Sequence, residues 1–288
     1  MRSILVPIVP GLDFEVQLEA ALGIARRVEG HINAVYLQLD ISGVLASLPP
    51  PLAGPLSLKE LGRHAEAAEH EARSTFEAWR TKNGLIAERP DNALSGTSAH
   101  WSEQAGPMEI VLLQRGRLSD LTVLNFPGDF HTPTQRLFDT AVFDTGRPVL
   151  LVPKSAPGDL LGHVIIAWNG SLEATRAVAA ALPLLRAAKQ VSVFRAPWRS
   201  EDFLGNDDLV GELSLTAYLA WHGVRAPTLG LGKQDSSVPL GLLRIAAEQS
   251  ATMIVMGAYA RGRIRNILLG TATREVLQSA SLPVLMAH

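Results

Sequence analysis

Apolar residues recur along this chain in two rhythms that take turns. Short unbroken apolar runs, such as SILVPIV at 3–9, alternate with longer stretches in which apolar residues return every three or four positions, as at 14–28. The first rhythm suits strands buried on both faces, and the second is that of an amphipathic helix. The pattern predicts a strand at 3–9, a helix at 14–28 and a strand at 31–37, the opening of a βαβ unit. A proline-rich segment, SLPPPLAGPLS, then breaks the rhythm as a loop or lid before a long helix over 58–82. Beyond it the sequence predicts an indistinct third strand near 97–101, a helix at 107–116, a strand at 121–126, a helix at 134–144 and a strand at 149–152.

The pattern then starts again. GHVIIAWNGSLEATRAVAAALPLLRAAKQVSVFRA has the strand, turn, helix and strand of RSILVPIVPGLDFEVQLEAALGIARRVEGHINAVYL; later, LTVLNFPG corresponds to MIVMGAYA and RPVLLVP to LPVLMAH. The expected fold is α/β: two tandem Rossmann-like units, each a mostly parallel five-stranded sheet with helices on both faces, since right-handed crossovers place helices there. KSAPGDLLG, where proline and glycine separate two apolar runs, sets the expected boundary: a first unit at 1–154, a linker at 155–162 and a second unit at 163–288. Pro183 falls inside the first helix of the second repeat and predicts a kink there.

Composition narrows the function classes. With 288 residues, 47% of them hydrophobic, the chain can bury the cores of two ordinary domains. A net charge of −2 gives no electrostatic footprint for nucleic acid or an anionic membrane surface. The absence of cysteine excludes disulfides, thiolate metal sites and a cysteine nucleophile. The opening MRSILVPIVPG enters a strand at once without the pattern of a signal peptide, and no apolar run reaches the length of a spanning helix; the expected location is the cytoplasm.

Candidate chemistry concentrates near the C-terminal end. A buried strand at 253–256 leads into Gly257, then a basic loop, then Gly270 and Thr271 opening a helix, then a last strand at 284–287. A glycine after a strand lets the backbone approach a ligand closely, and a helix N-terminus offers unpaired N–H groups to an anion. The pattern is suited to holding phosphate. Both Asn169 and Gly257 are expected at strand carboxyl ends, where ligands of open α/β sheets sit. Arg261, Arg263 and Arg265 could reach a polyphosphate or form a solvated basic loop.

This stretch resembles the universal stress protein family, whose nucleotide-binding members carry a glycine, two residues, a second glycine, nine residues, then Gly-Ser or Gly-Thr. Gly257, Gly270 and Thr271 keep that spacing, with Ala260 in place of the second glycine. The resemblance covers nearly the whole chain as two copies. It implies a stress-response protein whose second unit binds ATP or a related adenine nucleotide as a conformational switch; any Mg2+ would enter only with the nucleotide. Ala167, Ala196 and Met256 would border the adenine, Asn169 would stand where the family has an aspartate that contacts the nucleotide, and Gly257 would lie against the ribose. Ala260, Gly270, Thr271 and Ala272 would give backbone N–H groups to the phosphates. At the family's aspartate position an amide still contacts a ribose hydroxyl but is a poorer metal partner. In the first repeat Val9 occupies that position, and Gln135 and Arg136 stand where Gly270 and Thr271 stand in the second, so that half is expected to be structural or to hold something other than ATP. The family's pairing edge, formed by the last strands, could be satisfied within one chain by 149–152 beside 284–287, with a homodimer also open. The alternative function is a ligand-free interaction scaffold. Slow nucleotide hydrolysis is the weakest reading, since no residue of the motif is an evident general base.

Other signals carry less. PTLGLGKQDS has Pro227 and Gln234 where a P-loop requires glycine and Ser or Thr. Glu66 and His70, four apart in RHAEAAEHEAR, share a helical face that reads better as solvated than as a metal site. Trp168 and Trp198 could stack on a base, although aromatics at strand ends more often complete a core.

Overall fold

The computed structural model describes residues 1–38, 55–87, 96–127, 132–154, 158–195, 214–230, 237–258 and 271–288. Among them are ten strands and eight helices, in two compact units, Met1–Thr145 and Gly146–His288.

The first unit runs β1 (Ser3–Ile8), α1 (Glu15–Val28), β2 (His31–Gln38), α2 (Pro55–Lys82), β3 (Ser98–Ala105), α3 (Met108–Arg117), β4 (Leu121–Asn125) and α4 (Pro133–Phe143). Its strands lie in the order β3-β2-β1-β4, all parallel, with Ile4 opposite both Ile32 and Leu121. Ile4, Leu5, Val6 and Ile8 of β1 are all buried, which is why this strand reads as an apolar run without alternation. Helix α1 buries Leu18, Leu22 and Ile24; Glu15 in its first turn and Arg26 and Arg27 in its last complement its dipole.

Two elements differ from expectation in length. Helix α2 begins at Pro55, not at 58, because proline is accepted at the start of a helix, where its missing N–H has no intrahelical partner to lose. Strand β3 extends to Ala105 because β2 offers a partner at every position from His31 to Gln38. Its distal half, SEQA, is polar and incompletely buried, so the sequence pattern fades while the backbone ladder continues. Phe76 and Trp79 from α2 pack with Tyr36 and Trp101 from the two strands; Phe76 lies 5.7 Å from the Trp79 ring and 5.4 Å from that of Trp101.

On β4, the Thr122 hydroxyl is buried and has no hydrogen-bond partner among the described residues. An unpaired buried hydroxyl loses its hydration for nothing. Thr122→Val, nearly the same shape, is therefore expected to leave stability unchanged or to raise it by on the order of 1 kcal/mol in urea unfolding; a clear fall in the midpoint would mean that the hydroxyl is paired in solution.

The second unit contains β5 (Val149–Val152), β6 (His163–Trp168), α5 (Leu172–Ala187), β7 (Gln190–Arg195), α6 (Leu215–Trp221), β8 (Thr228–Leu229), α7 (Val238–Glu248), β9 (Met253–Gly257), α8 (Thr271–Ser279) and β10 (Val284–Ala287). The order is β5-β10-β9-β6-β7-β8. All pairings within it are parallel except β5 with β10, where Leu151 faces Val284 and Val149 faces Met286. Each repeat thus contributes five strands, and the pairing of 149–152 with 284–287 forms within one chain. β5, the last strand of the first repeat, groups with the second unit.

Helix α5 runs from Leu172 to Ala187 with Pro183 inside it. Helices α6 and α7 and strand β8 have no counterpart in the periodicity above. Both helices start at serine caps: Ser214 and Ser237 accept from the N–H groups of Ala217 and Leu240, and Pro239 follows the second cap. At the amino end of the sheet, buried His163 joins β6 to the Gln249 carbonyl and the Ser192 hydroxyl, each at 2.9 Å. No helix among the described residues is long and apolar enough to cross a membrane.

Candidate functional site

In the second unit the chain moves from β6 outward to β7 and β8, then returns to β9 on the other side of β6. The strand order reverses between β6 and β9, and the crevice beyond their carboxyl ends is where an open α/β sheet binds ligands. Ala167 and Met256 are paired in register on the two flanking strands. Asn169 follows β6 directly, and Gly257 ends β9. Helix α8 connects two parallel strands, so it runs back along the sheet and its first residue, Thr271, starts at the same end as this crevice. Ala272, next in α8, is exposed. Ala196, Ala260 and Gly270, with the three loop arginines and Trp198, lie outside the described residues.

The turn from β6 into α5 is built by three residues with separate tasks. Gly170 adopts φ 67°, a left-handed conformation that glycine enters without a Cβ clash. The Asn169 side-chain oxygen accepts from the Ser171 N–H at 3.2 Å, closing an Asx turn. Ser171 in turn accepts from the Ala174 N–H at 3.1 Å and caps the helix. One lone pair of the Asn169 oxygen is thus engaged, which fixes the side chain so that its second lone pair and its amide NH2 are left to meet a ligand.

Gly257 has a local reason to be glycine. A Cβ built there would lie 2.5 Å from the Ala174 backbone nitrogen and 2.7 Å from the Glu173 carbonyl carbon. The first turn of α5 occupies the space that any side chain would need. The neighbour that approaches Gly257 closely in the fold is a helix, where the sequence reading expected a ligand.

The first unit has a corresponding crevice between β1 and β4, filled differently. Asn125 ends β4 where Gly257 ends β9, and its side chain donates to the Asp13 carbonyl at 3.0 Å. Val9, Leu12, Phe14 and Leu124 line the remaining cleft, whose volume is about 30 Å³. That is room for on the order of one or two water molecules. Helix α4 begins at Pro133, ahead of Gln135 and Arg136, and Thr132 caps it through the Gln135 N–H. Gln135 is buried and binds Asp139 at 2.9 Å, while Arg136 pairs with Glu109 at 2.8 Å.

Glu66 and His70 are both exposed on α2, and no cluster of three or more metal-ligating side chains stands among the described residues. Trp168 is half-buried at the end of β6.

Comparison with known proteins gives a consistent picture. The profile of the universal stress protein family matches residues 161–288. Over its full length the chain resembles the solved structure of a universal stress protein from Archaeoglobus fulgidus DSM 4304, at 15% identity and a TM-score of 0.67, covering 99% of this chain and 96% of that one. It also resembles a putative universal stress protein from Pseudomonas aeruginosa UCBPP-PA14, at 17% identity and a TM-score of 0.57, covering 99% and 92%. No curated protein matches the sequence. The likeness to the solved structures is one of fold, and the sequence match to the universal stress protein family covers residues 161–288, within the second unit.

Proposed function

We propose that the second unit binds ATP or a related adenine nucleotide in the crevice between β6 and β9, and that occupancy acts as a conformational switch in a stress response. The observation that carries this reading is the convergence of Asn169, Gly257 and the start of α8 at one strand-reversal point. Met256 and Ala167 offer a small apolar wall for a base, the amide NH2 of Asn169 a donor, and the N-terminus of α8 a place for phosphate. The stress role itself comes from the family. Mg2+ would be held mainly by the nucleotide's own phosphates, since Asn169 supplies an amide where a carboxylate would bind the ion directly.

Switching requires that nucleotide bind one arrangement of the chain better than another, and the size of the shift equals that difference in affinity. The loops expected to respond, the proline-rich segment and 258–269, lie largely outside the described residues. Thermal unfolding provides a test. A nucleotide at a hundred times its dissociation constant is expected to add about 2.7 kcal/mol to stability and to raise Tm by several degrees. Identical melting curves with ATP, ADP and AMP at millimolar concentration would contradict the proposal.

A second reading has its own support. Gly257, Asn169 and Ser171 each perform a structural task without any ligand, as a ligand-free interaction scaffold with a decayed site would require.

A further inference from the structure

The ribose partner expected from the family position, Asn169, is altered by its surroundings. Its oxygen accepts from the Ser171 N–H, and the Ser171 hydroxyl is occupied at the cap of α5. Each of these oxygens keeps one lone pair, but a carboxylate is the stronger acceptor for a ribose hydroxyl at this crevice. Glu173 is placed to supply one. Its Cβ lies 2.9 Å from the point that a Gly257 side chain would occupy, so its side chain leaves the helix at the wall of the crevice. It is half-buried, and no hydrogen bond or ion pair engages its carboxylate among the described residues.

We propose that Glu173 accepts a hydrogen bond from the ribose and makes the second unit selective for ribonucleotides over 2′-deoxyribonucleotides. A carboxylate is an acceptor only, so it favours a donating hydroxyl and leaves a 2′-hydrogen without a partner. Dinucleotide-binding sheets use an acidic residue in the same way toward the ribose 2′-hydroxyl. The proposal rests on the reading that nucleotide occupies this crevice.

The test is calorimetric titration of the full chain with ATP and with 2′-deoxy-ATP, for the native protein, Glu173→Ala and Glu173→Gln. The native protein is expected to bind ATP about tenfold more tightly than its deoxy analogue, the size of one charge-assisted hydrogen bond. Glu173→Ala should bring that ratio near one by weakening ATP alone, and Glu173→Gln, whose amide oxygen still accepts, should retain part of it. If the alanine variant fails to fold, the glutamine variant carries the comparison. Nucleotide binding with an unchanged ratio in the variants, or a native ratio near one, overturns the role of Glu173 and leaves the site standing. Binding of neither nucleotide by the native protein overturns both.

Discussion

Gly257→Ala is expected to destabilise the protein by about 1–3 kcal/mol with no ligand present. The new methyl group would sit 2.5 Å from one backbone atom of α5 and 2.7 Å from another. A backbone cannot rotate aside as a long side chain can, so relief requires α5 to move away from β9. The first turn of α5 is fixed by the Ser171 cap and by burial of Ala174 and Ala177, and moving it disturbs packing along the helix. Thermal unfolding should show a fall of roughly 2–4 °C for each kcal/mol. An unchanged Tm would mean that α5 yields freely and that the glycine serves only an approaching ligand.

Phe76→Ala is expected to cost still more, about 3–5 kcal/mol. The ring is fully buried between α2 and the strands β2 and β3, with the rings of Trp79 and Trp101 beside it. Both indoles are tied at their N–H groups, Trp79 to Glu19 at 2.9 Å and Trp101 to Glu103 at 2.7 Å, so neither can swing freely into the vacated space. A cavity that cannot collapse adds its own penalty to the lost hydrophobic transfer. The checking measurement is denaturant unfolding, in which the midpoint should fall while the slope stays near that of the native protein. A loss below about 1 kcal/mol would show that α2 repacks, and that these rings do not fix it to the sheet.

What could be read from the amino-acid pattern followed from burial. β1, β6, β9 and β10 are covered on both faces, so they appear as apolar runs, and the repeated order of runs and amphipathic stretches reveals two copies of one unit. Strand β3 is faint in the pattern because its outer half is polar and is held by backbone pairing with β2. β8 has two residues, too few for any period to show. Helices α6 and α7 leave a fainter trace in Ser214, Ser237 and Pro239, a start signal that carries no apolar period.

The site divides along the same line. Asn169 and Gly257 could be placed at strand ends from sequence, because their strands are apolar and their positions terminal. That the Asn169 oxygen accepts from Ser171, and that α5 fills the space beside Gly257, depends on contacts made only when the chain is folded. Glu173 gave no signal at all, since nothing in its local sequence links it to a strand end so far along the chain. The first repeat shows the converse. Val9 announced a lost polar contact, and Asn125 then proves to bind the loop before α1 with the side chain that Gly257 lacks.

The central claim is that the second unit holds an adenine nucleotide, and calorimetric titration of ATP, ADP and AMP into the native protein and Gly270→Asp tests it most directly. Residue 270 immediately precedes Thr271, the first residue of α8, where aspartate is favourable to a helix start yet repels phosphate. Saturable binding to the native chain, lost in a variant that melts as the native protein does, is the expected result. Equal binding to both proteins, or no heat from any of the three nucleotides at millimolar concentration, would contradict it.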